Sequence, residues 1–221
     1  MRGIAVVLIA MTIGAALLAA AMAAERSDHF DPDLKRRDYP CSWNPSLKPE
    51  PLWPEFDSWF GAPLRGTNEP SLYRQAQTAP WRQSLRLTLL PSLGETLIVR
   101  IDDLHGSEPR LTAIRYQGQV KSTPGNTFTR GLTADEVQPL RSLLRSTDIL
   151  SLPPDSCLSG IDGVVYLIEA SGPDGYHFIN RWSVVDGPVY DVANEMLRLA
   201  GWRNGKREGR RSDPPGFFVG S

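Results

Sequence analysis

Histidine and cysteine are scarce in this chain. Its 221 residues include three histidines and two cysteines. Neither Cys41 nor Cys157 has a histidine or second cysteine at ligand spacing, and the nearest histidine to Cys157 in sequence is His177. There is no G-x-S-x-G elbow, phosphate loop or metal box, and no internal repeat. The formal charge of -1 provides no overall electrostatic footprint for nucleic acid. No metal, cofactor or nucleic-acid partner is therefore expected.

Long apolar runs are missing too, apart from one. Met1-Arg2-Gly3 leads into an uncharged run, residues 4–24, that closes on Ala21-Met22-Ala23-Ala24 before Glu25-Arg26. A short basic start, an apolar stretch and a small-x-small end make a secretory signal peptide pattern, cleaved after Ala23 or Ala24. An uncleaved inner-membrane anchor is the alternative, since the run is just long enough for a spanning helix of ~20 residues. On either reading the rest of the chain is exported, to the periplasm or beyond the cell. A membrane partner is expected only if the segment stays uncleaved.

Export bears on the two cysteines. In an oxidising compartment Cys41 and Cys157 can form a disulfide, worth up to ~5 kcal/mol for so long a loop on the chain-entropy model. Two unrelated thiols remain open as the alternative, and thiol chemistry has no supporting motif.

The remaining chain is long enough for one domain with a proper core. From 25 to 80 prolines are dense and Trp43, Trp53 and Trp59 are scattered among them. Such spacing predicts an irregular, turn-rich arm tied back at Cys41. Residues 81–202 read as an α+β domain, and 203–221 as a basic, Gly-containing tail without apolar periodicity, hence disordered. The tail is a solvated terminus or a contact for an anionic surface.

Within the domain, Ser84–Leu90, Thr96–Asp102 and Leu111–Tyr116 alternate polar and apolar residues, predicting a three-strand antiparallel meander with one wet face. Asp102-Asp103 with His105 could suggest metal, but turns favour Asp and adjacent strand residues face opposite ways. Thr133-Ala134-Asp135-Glu136 is a capping box opening a helix that Pro139 is expected to kink or split. Pro188 and Gly201 bracket a last helix with Val189, Val192, Ala193, Met196, Leu199 and Ala200 on its buried stripe. The expected fold is an antiparallel sheet (meander, helix, hairpin, helix) with helices on one face.

Between the helices, Gly172-Pro173-Asp174-Gly175 predicts a hairpin with a three-residue loop that sets Gly172 opposite Tyr176. That register buries Phe178 and Trp182 with Tyr166 and Ile168. It groups Glu169, His177 and Arg181 on the opposite face, where a carboxylate, an imidazole and a guanidinium could bind a ligand or perform acid–base chemistry. A surface ion pair is the simpler alternative.

Asp162-Gly163 with Tyr166 and Glu169, then Gly175-Tyr176-His177, Arg181-Trp182-Ser183, Asp186-Gly187-Pro188 and Leu199-Ala200-Gly201 carry a resemblance. The chain from about 85 to 202 resembles an uncharacterised family of small exported bacterial proteins with a D-G-x-x-aromatic-x-x-E strand and a Y-H-x-x-x-R-W-S strand. Leu90-Pro91-Ser92 and Val99-Arg100 also fit that pattern. The resemblance implies export but brings no activity, substrate or cofactor. The functional expectation is a non-enzymatic binding or structural module of the cell envelope, with an unknown partner such as an envelope protein. The alternative is a small hydrolase- or lyase-like enzyme using Glu169, His177 and Arg181.

Overall fold

The computed structural model describes residues 29–39, 48–49, 51–52, 56–117, 127–157, 160, 162–203 and 206–207. The 4–24 run, Cys41 and residues 208–221 lie outside them. Among the described residues no helix is long and apolar enough to cross a membrane.

The α+β class with an antiparallel sheet holds. Six strands, β1 (Ser84–Pro91), β2 (Thr96–Asp102), β3 (Arg110–Tyr116), β4 (Thr127–Gly131), β5 (Val164–Gly172) and β6 (Gly175–Trp182), form one sheet in the order β4-β3-β2-β1-β5-β6. Every pairing is antiparallel. The meander thus has a fourth strand, β4, and the β5–β6 hairpin returns to lie beside β1. Among the described residues four α-helices accompany the sheet: α1 (Phe56–Gly66), α2 (Leu72–Thr78), α3 (Ala134–Thr147) and α4 (Gly187–Leu199).

The helices cover both faces of the sheet, where one had been expected. On the first face lie α3 and α4. Val137 and Leu140 of α3, and Val192 and Met196 of α4, pack with Leu85, Leu87, Leu89, Ile168 and Ile179. The capping box is present: Glu136 N–H donates to Thr133 Oγ1 at 3.2 Å and Thr133 N–H to Glu136 Oε2 at 2.8 Å. Despite Pro139, α3 is a single helix. One missing N–H near its first turns is outweighed by the buried stripe. Left-handed Gly201 follows α4, as its position predicts.

The second face carries the segment expected to be an irregular arm. Phe56, Phe60 and Leu64 of α1 recur every fourth residue, and with Phe30 and Leu34 they pack on Leu90, Ile98, Leu167 and Phe178. Pro63 inside α1 costs ~3 kcal/mol, but three buried large side chains return ~1.5–3 kcal/mol each, so the helix forms. Ser71 caps α2, its Oγ accepting from Arg74 N–H at 3.1 Å and donating to His29 O at 2.7 Å. This ties the segment's start to the helix. The expected wet face is therefore a second core.

The start of the basic tail also departs from the expectation of disorder from 203 on. Trp202–Arg203 (β7) pairs with Lys206–Arg207 (β8) as a two-strand ribbon.

Candidate functional site

The hairpin register differs from the expected one by one residue. Gly172 opposes Gly175, so the loop is Pro173-Asp174 alone, and Glu169 opposes Phe178 while Tyr166 opposes Arg181. A one-residue slip moves every β6 side chain to the other face. Glu169 therefore shares its face with Phe178 and Trp182, while His177 and Arg181 stand on the other. The predicted Glu169, His177, Arg181 group does not assemble. Gly175, at φ 97, is a ladder residue paired with Gly172 instead of the third residue of the loop, and because both faces of the sheet are buried an apolar alternation fits a core in either phase.

Each of the three has a separate setting. His177 Nδ1 lies 3.1 Å from Leu150 O, and its ring lines a cavity of about 210 Å³ with His105 and Arg145. Arg181 is buried, donating to Asn180 O at 2.7 Å and Pro153 O at 2.9 Å. Burial lowers its pKa, partly opposed by Asp155. Beside it, Asn180 N–H donates to Pro154 O at 2.6 Å.

Glu169 is fully buried in a charge network that sequence reasoning missed. Its cross-strand partner on β1 is Arg86, also fully buried. Arg86 Nε and Nη2 donate to Glu169 Oε2 at 2.8 and 2.6 Å, and Tyr176 O–H donates to Oε1 at 2.9 Å. Arg86 Nη1 donates to Pro70 O at 2.7 Å and lies 3.5 Å from Glu69 Oε2. Burial raises the Glu169 pKa, with Arg86 pulling against it. Burial would lower Arg86, but Glu169 and Glu69 outweigh it and hold the guanidinium protonated. A detectable signal existed: Arg86 and Glu169 are lone charges inside otherwise apolar strands, and a charge is rarely buried unless paired.

His29 completes the network. Its Nε2 lies 3.1 Å from Arg86 Nη2, and since arginine can only donate, Nε2 accepts and the ring is neutral. Burial, then Arg86 and Arg65, lower its pKa from 6.5 to about 2. The sign follows. Between those values the unfolded chain binds a proton that the folded one refuses, so this contribution is intact above pH 6.5 and is lost as pH falls toward 2. Urea unfolding at pH 7.5 and 4.5 should show His29→Gln losing about 2–3 kcal/mol less than the wild type over that interval. Equal losses would mean that His29 is open to water.

From Glu69 the network runs outward. Glu69 Oε2 accepts from Arg100 Nη1 at 2.7 Å, Arg100 Nε donates to Asp102 Oδ2 at 3.0 Å, and Ser84 Oγ donates to Asp102 Oδ1 at 2.7 Å. Gln75 Nε2 lies 2.8 Å from both Ser84 Oγ and Ser171 Oγ. Of these groups, Gln75, Ser84, Arg100 and Asp102 line an open cleft of about 540 Å³ between α2, the start of β1 and the β2–β3 turn. Trp81, 74 % exposed, stands on its rim with Arg82, Glu108 and Arg110. Asp103, raised above for metal, adopts φ 56 and accepts from Glu108 N–H at 3.1 Å, while Asp102 is committed to Ser84 and Arg100. Among the described residues no cluster of His, Cys, Asp and Glu is arranged to hold a metal ion.

Gly163 and Ser183 hold the hairpin's entrance. Gly163 accepts no side chain, since a Cβ there would collide with Ser183 Oγ and the Trp182 ring. Its N–H donates to Ser92 Oγ at 3.1 Å, and Val164 N–H donates to Ser183 Oγ at 3.1 Å. Cys157, the one cysteine among the described residues, is not free. Its N–H donates to Asp155 Oδ1 at 3.2 Å.

Comparison of the chain with protein-family models, curated proteins and solved structures finds no match to any of them.

Proposed function

We propose that this chain is an exported, non-enzymatic binding module of the cell envelope, and that its ligand docks in the cleft beside Trp81. The observation that carries this reading is the pairing of an exposed indole with a polar floor already fixed by hydrogen bonds. Arg100, Asp102 and Gln75 are each held by neighbours, so docking costs little side-chain ordering. The acid–base alternative loses support because Glu169, the carboxylate with a raised pKa, is fully buried on Arg86 and across the sheet from His177.

The test uses the mature protein incubated with its native envelope fraction. Wild type and Leu93→Ala, a change at an 84 % exposed site on the turn at the far end of β1, are expected to be retained equally. Trp81→Ala should be retained at least about fivefold less, with its thermal midpoint unchanged. Equal retention of Trp81→Ala would remove the cleft as the site.

Export through residues 4–24 and a Cys41–Cys157 disulfide belong to the same proposal. Non-reducing mass spectrometry of the secreted protein is expected to find both thiols oxidised and the chain starting near Glu25. Two free thiols would refute the disulfide, and an intact leader would refute cleavage.

A further inference from the structure

We infer that the cleft beside Trp81 takes a neutral saccharide. This inference rests on the binding reading above and specifies its ligand. Three guanidinium groups (Arg82, Arg100, Arg110) meet three carboxylates (Asp102, Asp103, Glu108) along the cleft. Such a balance creates no net field to recruit a polyanion or polycation. It does provide donors and acceptors side by side. A sugar hydroxyl is both a donor and an acceptor, and it can satisfy a carboxylate and a guanidinium at once.

The remaining surfaces fit the same chemistry. Gln75 and Gln83 add planar amides that can give and receive hydrogen bonds. Trp81 is the most exposed tryptophan among the described residues. Its flat apolar ring suits the C–H face of a pyranose, and its N–H is available to a hydroxyl. A purely apolar ligand would strand the charged wall, and a phosphate-rich one would meet three carboxylates. The cleft volume of about 540 Å³ lies within the usual range for small-ligand sites, about 300–1,000 Å³. The locked floor matters because hydroxyl contacts are individually weak and repay only a surface that need not reorganise.

Calorimetric titration of the full mature protein tests this with three probes: chitotetraose and cellotetraose as neutral sugars, and heparin as a polyanion. At least one neutral tetrasaccharide is expected to bind. Trp81→Ala should weaken it by about tenfold or more, and Arg110→Ala by a smaller factor, with thermal midpoints unchanged. Binding of heparin alone, no binding of either tetrasaccharide at millimolar concentration, or an unchanged affinity in Trp81→Ala would overturn the inference. Adding the tetrasaccharides in excess to the envelope-retention assay separates the two claims. Trp81-dependent retention that neither sugar competes leaves the binding module standing and removes the saccharide. Retention independent of Trp81 removes both.

Discussion

Glu169→Ala is expected to destabilise the protein by about 3–5 kcal/mol, because it leaves the Arg86 guanidinium buried without its carboxylate. It also removes the acceptor of the Tyr176 hydroxyl, 2.9 Å away. Domains of this size have about 5–15 kcal/mol in total, so the variant should approach unfolding under native conditions. An exposed ion pair would instead be worth at most about 1 kcal/mol, which gives the experiment a clear division. Urea unfolding followed by tryptophan fluorescence measures it, and a loss below about 1 kcal/mol would mean that water reaches the pair. The double change Arg86→Met with Glu169→Leu should lose less than Glu169→Ala alone, since neither charge is then stranded. That non-additivity distinguishes a sealed pair from two residues that merely pack.

Phe56→Ala is expected to cost about 3–5 kcal/mol, as truncation of a fully buried aromatic does. Phe56 is in ring contact with Phe30 and Phe178, with centroids 5.6 and 5.9 Å away, so its loss opens a cavity between the N-terminal segment and the sheet. The same measurement on Leu93→Ala should stay within about 0.5 kcal/mol. If Phe56→Ala behaves like Leu93→Ala, residues 29–79 are an appendage and the second core does not support the fold.

These two expectations coincide with what was hardest to see in the chain. Elements with their own local signals were legible: the capping box at Thr133, the α4 stripe stopped at Gly201, and the strands around Leu87 and Val99. Phe56, Phe60 and Leu64 also stood at helical spacing, but the proline density around them argued for irregular chain. Pro63 is accommodated because tertiary burial exceeds its local cost. That omission led to the next. Without a layer on the second face, Arg86 and Glu169 read as members of a wet surface, and the three-residue loop expected from the Gly172–Gly175 turn places Phe178 and Trp182 in the single core that remains. His29 and Glu69 carry no local signal. His29 reaches Arg86 from 57 residues earlier in the chain and Glu69 from the segment just before β1, and only the folded chain brings them together. The cleft was hidden for the same reason, being assembled from α2, β1, β2 and β3.

The edge-to-face contact of Phe30 with Phe178, centroids 5.4 Å apart, also bears on the order in which the molecule can be made. Phe30 is made well before Phe178 on the strand that receives it. Until β5 and β6 exist, the apolar side chains of the first segment can cover only part of their surface, on Leu90, Ile98 and Ile114 of the earlier strands. Closing so long a loop before any contact rewards it is slow. Completion of the second core should therefore be the late step, waiting on the β5–β6 hairpin.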